Sequence, residues 1–395
     1  MRKYKFFFIP IICIFIFANI FNRAIDKKYK DLIEKKDLTS IKHTYNQIIR
    51  DRGGVLKNQM KEEGDLMLLG SSELSSPVEQ NPTNIFPFDG AEYDVSIYGR
   101  AYTQSLQHAT ILNNIKNINR DDKVAIVISA QWFASSIGID GGDFSVNFSE
   151  QQFYDFFNNE NISKENKIYY AKRISELLRK AGEYGEERIY ANLYYRNNFL
   201  SKSVLTLLKP YYSLKEYMLD TKDKVQTIKL LNKMDDKSEN QLKDIHWDKE
   251  YEKAENQGKD KVTNNNIFVD DEYYDTYLRE KYDTLKDSWA NVNLLESKEV
   301  KDYDFLLKVC KENNVKPLII LMPVNGLYYD HLGLKLDKRT EFYSTLGKMA
   351  NDKGFDVLNL QNKEYEKYYL SDVMHLGWKG WLNIDEEISK YFNKK

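Results

Sequence analysis

Four short apolar runs, Asp65–Leu69, Val124–Ser129, Pro317–Met322 and Phe355–Leu360, constrain this chain more than any other feature. Each is too short for a helix that buries a face, and none alternates apolar with polar residues as a strand with one wet face does. Continuous short runs of this kind fit strands covered on both faces, which is the situation of parallel strands joined by helical crossovers. Helical spacing appears at Tyr102–Ile118 after Gly99, at Lys338–Asn351 before the fourth run, and at Trp378–Tyr391 at the end. This alternation predicts an α/β fold, a central parallel sheet with helices on both faces. Ligands of such sheets bind beyond the carboxyl ends of the strands. Ser72, Gln131, Asn325 and the pair Asp372/His375 all follow a strand-like run or sit in the loop after the last one, so they are expected to gather on one rim.

Between about 145 and 295 the pattern changes to tyrosines, charges and amides with no strand-like run. Ile168–Ala181, Glu187–Leu208 and Tyr211–Lys233 carry apolar residues at three and four, which predicts a helical insertion, with Asn256–Asn266 as its flexible loop. A chain of 395 residues that is 42% hydrophobic can bury a sizeable core, as one large domain with an insertion or as two domains. Its net charge of -2, and runs of mixed sign such as Lys233–Lys243 and Asp248–Lys253, fit solvated helix faces and argue against nucleic-acid binding. With only Cys13 and Cys310, neither a disulfide framework nor a thiolate metal site is expected. No glycine pattern cradles a phosphate, and nothing calls for a cofactor.

The N-terminus carries a targeting signal. Residues 6–21 are uncharged and follow Arg2, Lys3 and Lys5. At about 1.5 Å per residue the run spans roughly 24 Å, short of a hydrocarbon core of about 30 Å unless flanking residues snorkel. The residues that follow lack a small-x-small cleavage site, so an uncleaved single transmembrane anchor is the expectation, with a cleaved signal peptide as the alternative. The division is then a leader at 1–5, an anchor at 6–21, a charged stalk or packing helix at 22–62, and a main domain at 63–395. Lysine and arginine lie on both sides of the run, but a five-residue leader before a large polar domain behaves as a signal anchor, which places the main domain outside the cytoplasm.

There are five histidines. His43 in the stalk, His108 in a polar-faced helix and His246 in a charge-rich stretch read as solvated surface residues, and His331, after Asp330, as a second site residue or a turn. His375 differs, because Asp372 lies one turn earlier and can fold back onto its Nδ1–H, leaving Nε2 to accept a proton from a hydroxyl. Asp-x-x-His is also a common structural turn. Ser72 follows the first run after Gly70 and could present its hydroxyl beside backbone N–H groups, although the serines nearby also suit turns and a helix cap.

The order of serine after the first strand, glycine, amide and a closing Asp-x-x-His resembles the SGNH (GDSL-like) hydrolase superfamily. Within it, the chain is similar to the DltD family of D-alanyl-lipoteichoic acid biosynthesis proteins of Gram-positive bacteria. The resemblance rests on the N-terminal anchor, Gly70-Ser71-Ser72-Glu73-Leu74, Ser129-Ala130-Gln131-Trp132-Phe133, the block Met322–His331 and the block Tyr365–Trp381. It implies a three-layer SGNH-like fold, Ser72 as nucleophile, His375 as general base and acid, and Asp372 as its orienting carboxylate. Ser71 stands where the superfamily has an aspartate, and Gln131-Trp132 where a Gly-x-Asn block is usual; the resemblance implies Gly99 and the Gln131 amide as stand-in oxyanion donors, with Ser71 in the same oxyanion and substrate set. Trp132, Asn325 and Trp378 complete the substrate-facing set, the alternatives being a packed strand end for Gln131-Trp132-Phe133 and a pocket wall or core for Trp378 and Trp381. The implied activity is transfer of D-alanine from a D-alanyl donor to lipoteichoic or teichoic acid outside the membrane, with membrane proteins of the same pathway as partners. An esterase or thioesterase acting on D-alanyl esters, or a non-catalytic assembly subunit, are the alternatives.

Overall fold

The computed structural model describes residues 2–238 and 242–393, with the side chains of residues 2–12, 14 and 15 outside the description. Five strands, β1 (Leu66–Leu69), β2 (Val95–Tyr98), β3 (Val124–Ile128), β4 (Leu318–Leu321) and β5 (Val357–Asn359), form one sheet in the order β2-β1-β3-β4-β5. All pairings are parallel, with Leu66 opposite Val95, Ala125 opposite Leu318 and Ile319 opposite Val357. Successive side chains on a strand point to opposite faces, and here the two sets enter two separate cores. Met67, Leu69, Ile126, Ile128, Ile319 and Leu321 pack under one layer of helices. Leu66, Leu68, Ala125, Val127, Leu318 and Ile320 pack against the other, which includes Trp381, Leu382, Ile384 and Ile388 of the last helix, Trp378–Asn393.

The four apolar runs are β1, β3, β4 and β5, and β2 is the strand that their pattern did not reveal. Its Val95-Ser96-Ile97-Tyr98 looks like a half-wet strand, yet every residue is buried. The short helices Thr39–His43 and Pro82–Ile85 pack on this edge strand, and the Ser96 hydroxyl is satisfied by donating to Asp65 Oδ2 at 2.5 Å. The chain leaves β1 in one direction to form β2 and returns past it to form β3. The order therefore reverses between β1 and β3, and a crevice opens at their carboxyl ends.

Between β3 and β4 the described residues form helices and turns, among them Glu150–Asn158, Lys164–Ala181, Gly185–Arg196, Phe199–Leu231 and Trp247–Lys261. The expected break before Tyr211 lies instead at Asn197, which takes a left-handed conformation (φ 51°), and Asn198 caps the next helix by accepting from Ser201 N at 2.8 Å. Asparagine tolerates that region of backbone space, whereas Pro210 sits inside the long helix and removes a single backbone donor. The expected loop at Asn256–Asn266 is helical as far as Lys261, and the N–H groups of Thr263 and Asn264 then donate to Asp271 Oδ1 at 2.9 and 3.0 Å.

The apolar run at 6–21 falls within the helix Arg2–Ile33. Among the described residues no helix is long and apolar enough to cross a membrane, and most side chains of that run lie outside the description. Residues 39–62 form three short helices that place Ile41, Leu56 and Met60 in the core. Lys42 lies 2.9 Å from both Glu63 and Asp65, and His43 meets Asp94 at 2.7 Å.

Candidate active site

β1 ends at Leu69, and the chain turns through Gly70 and Ser71 into a single 3-10 turn, Ser72–Ser75. Gly70 carries its carbonyl against Gly99 at the end of β2, where an added Cβ would lie 2.0 Å from that oxygen. Only a glycine allows the two strand ends to approach so closely. His108 fixes the same carbonyl from its Nε2 at 3.0 Å. This histidine is fully buried, not solvated, and burial pushes its pKa down to about 4. A neutral ring donating from Nε2 to Gly70 fits that environment. Ser71 is also used structurally, its N–H donating to Glu73 Oε1 at 2.9 Å and its hydroxyl to the Arg100 carbonyl at 3.1 Å.

The loop before the last helix is held as tightly. Asp372 Oδ1 accepts the N–H groups of Met374 and His375, both at 2.7 Å, while Oδ2 meets His375 Nδ1 at 2.7 Å. The carboxylate thus folds the turn and aims the ring together, so the turn and pair readings of Asp-x-x-His describe one arrangement. Ser371 N donates to the His375 carbonyl at 3.0 Å, closing the loop at its neck. A Cβ on Gly380 would lie 2.2 Å from the Tyr369 carbonyl, so the final helix seats against the loop only with glycine there.

These two loops, 303 residues apart in sequence, meet. His375 Nε2 lies 2.9 Å from Ser72 Oγ, and Ser76 Oγ donates to the Leu376 carbonyl at 2.8 Å beside it. Ser72, His375 and Asp372 form one hydrogen-bonded chain at the carboxyl edge of the sheet, beside the point where strand order reverses. Burial pulls the His375 pKa down, but the hydrogen bond and charge of Asp372, joined by the charge of Glu73, outweigh it and leave it above the ordinary histidine value. An imidazole so placed can take a proton from the Ser72 hydroxyl and hold it against a carboxylate.

Glu73 is the site residue that residue-by-residue reading passed over. It is buried directly after Ser72, and burial pushes its carboxyl pKa up against the pull of backbone N–H donors and of His375. A charged residue in a turn of small residues was the available signal, since a carboxyl there must find loop N–H groups.

The other expected residues are placed as follows. Gln131 is half-buried in the first turn after β3, on the same edge. Trp132 is buried with its ring 5.4 Å from that of His108, and so backs the histidine that holds the Gly70 carbonyl. Asn325 is not gathered with the others: its side chain caps the helix Gly326–His331 by accepting from Tyr328 N at 3.0 Å and donates to the Ile267 carbonyl at 2.8 Å. Its effect on the site is indirect. Ile267 and Val269 pack on Val373, and Asp270 N donates to the Ser371 carbonyl at 2.8 Å, so this segment braces the Asp372 loop. Trp378 is buried and walls a cleft of about 690 Å³ together with Pro77, Val78, Tyr273, Tyr277 and Asp372. His331 stacks on Tyr282 at 4.0 Å, and its Nε2 lies 2.7 Å from the Tyr282 carbonyl. Among the described residues no group of three His, Cys, Asp or Glu side chains is placed to hold a metal ion.

The sequence is 28% identical over 342 residues to Protein DltD of Bacillus subtilis (strain 168), covering 86% of each chain. It is 28% identical over 347 residues to Protein DltD of Staphylococcus aureus (strain NCTC 8325 / PS 47), covering 86% of this chain and 84% of that one. To Protein DltD of Lacticaseibacillus rhamnosus it is 23% identical over 345 residues, covering 86% of this chain and 80% of that one. The family model described as DltD protein matches residues 42–393, a span that contains all five strands and both loops that meet at Ser72 and His375. On that match the chain belongs to the DltD family.

Proposed function

We propose that this protein transfers D-alanyl groups to teichoic acid at the outer side of the membrane, with Ser72 as nucleophile, His375 as general base and acid, and Asp372 as the group that orients His375. The observation that carries the reading is the hydrogen-bonded order Ser72, His375, Asp372 at the sheet's carboxyl edge in a chain of the DltD family.

In the first half-reaction Ser72 Oγ attacks the carbonyl carbon of a D-alanyl ester or thioester while its proton passes to His375 Nε2. The tetrahedral oxyanion is stabilised by backbone N–H groups at the ends of β1 and β2, at Ser72 and Gly99, and by the amide of Gln131 after β3. Its collapse expels the donor's alcohol or thiol, which takes the proton from His375 and leaves D-alanyl-Ser72. In the second, a polymer hydroxyl gives its proton to His375 and attacks the acyl-serine, and Ser72 leaves as the restored hydroxyl. The net change is the donor's ester or thioester bond exchanged for an ester bond to the polymer. The apolar run at 6–21 attaches the chain to the membrane, where other membrane proteins of the pathway deliver the donor.

The test is capture of the intermediate. In membranes that carry out D-alanylation, mass spectrometry of the peptide containing Ser72 should find one alanyl group on it. Its absence while polymer is being alanylated removes the covalent route. A second outcome concerns pH. His375 acts as base only when neutral, and its pKa lies above the ordinary value. The rate of acylation should therefore rise with pH through a midpoint above about 6.5. A midpoint below that value contradicts the assignment of His375 as the base.

A further inference from the structure

The helix Phe199–Leu231 is apolar on two sides, and among the described residues only one of them is covered. Leu205, Leu208, Tyr212 and Leu219 pack on the core. Leu200, Leu207, Tyr211, Leu214 and Met218 recur at intervals of seven, four, three and four, which is a single stripe on another side. That stripe is open: Leu200 is 72% exposed, Leu207 80% and Met218 61%. Between Tyr211, Leu214, Met218 and Leu219 lies a hollow of about 410 Å³, with Glu186, Lys215 and Lys222 also in its lining. Monomeric soluble proteins rarely leave so continuous an apolar surface without an occupant.

The neighbouring helix indicates the occupant. Arg2–Ile33 runs alongside in the same direction, with Asn22 Nδ2 donating to Tyr217 Oη at 2.8 Å and Lys224 Nζ to Asp26 Oδ1 at 2.7 Å. These partners are offset by 195 and 198 residues, so the uncharged run at 6–21 lies level with the turns that carry the stripe. Ile16, Phe17, Ile20 and Phe21 of that run are exposed as well. Lys202 and Lys209 fall on the side of the helix opposite the stripe and are exposed. A helix with lysines opposite an apolar stripe is built to lie in a membrane interface, immersed by about 5–10 Å, and not to span it.

We propose that the stripe Leu200–Met218 rests in the lipid surface beside the N-terminal run, so that the helical region between β3 and β4 lays the protein down on the membrane. This rests on the membrane attachment within the proposed function and adds a second, separate contact to it. The occupant is lipid, not a partner protein, because the stripe is continuous with a segment whose own composition suits lipid.

Spin labels on the full chain in vesicles of phosphatidylcholine and phosphatidylglycerol test this. With Cys13→Ser as background, since Cys310 is buried, labels are placed by Leu207→Cys, Lys209→Cys and Phe17→Cys. The ratio of oxygen to nickel-chelate collisions at position 207 should exceed that at 209 several-fold and approach that at 17. Equal ratios at 207 and 209 with lipid-like values at 17 overturn the inference while leaving membrane attachment intact; the stripe then belongs to a protein partner. Aqueous values at position 17 as well overturn both.

Discussion

Ser72→Ala should abolish D-alanyl transfer, with a loss of about 10³-fold or more, while the thermal midpoint stays near that of the parent chain. The two halves of this expectation have separate causes. Ser72 Oγ has one described partner, His375 Nε2, and that ring is partly open to water, with 23% of its side chain exposed. Removing the hydroxyl therefore strands no buried polar group. The turn around it is kept, because the Ser75 hydroxyl holds the Ser72 backbone carbonyl at 2.7 Å and Ser76 still holds Leu376. The loss of activity follows because no other hydroxyl is bonded to His375 Nε2 among the described residues. Teichoic-acid D-alanylation in cells carrying Ser72→Ala at normal abundance is the decisive measurement. Persistence at the normal level ends the catalytic reading and leaves an assembly role. Where the catalytic reading holds, release of free D-alanine and loading of polymer are to be followed together, since a hydrolase and a transferase part only in which of the two falls.

Gly99→Ala should unfold or strongly destabilise the protein, by roughly 3 kcal/mol or more. The new Cβ would lie 2.0 Å from the Gly70 carbonyl oxygen and 2.7 Å from its carbon. Neither atom can yield cheaply, since Gly70 N donates to the Tyr98 carbonyl at 3.1 Å and its oxygen is held by His108. The ends of β1 and β2 would have to part, and Ser72 would move with them. Chemical denaturation of Gly99→Ala beside Gly185→Ala separates this from a general glycine effect, because a Cβ at Gly185 meets nothing within 4 Å. A Gly99→Ala protein as stable as Gly185→Ala means that close approach is not why glycine stands there.

Much of the fold was legible because strands buried on both faces leave a one-dimensional mark. Val124–Ile128 needs no knowledge of its neighbours to be recognised as a strand, and the same is true of β4. β2 escaped because its burial is supplied by distant segments: Ser96 is tolerated inside only because Asp65 accepts its hydrogen bond, and Asp65 is in turn held by Lys42. His108 misled for the same reason. Its helix, Ser105–Asn113, has histidine, glutamine and threonine that read as a wet face, yet every residue of it is buried, and His108, Gln107 and Thr110 reach Gly70, Phe144 and Gln152, partners far away in sequence. Asn325 was placed on the right edge of the sheet but given to the wrong task, since its amide is consumed by Tyr328 and Ile267.

Local spacing allowed Asp372 to be paired with His375, since a carboxylate three residues before an imidazole can reach it without help from the rest of the chain, but left a plain turn open. It was sufficient to place Ser72 just beyond a buried strand. Whether Ser72 and His375 touch depended on sheet order, on glycines that let Gly70 approach Gly99 and Gly380 approach Tyr369, and on the bond from Ser76 to Leu376. Contacts across 303 residues are set by packing, which no local pattern encodes. The buried carboxyl of Glu73, which helps to raise the His375 pKa, likewise exists as an electrostatic fact only once the fold has removed it from water.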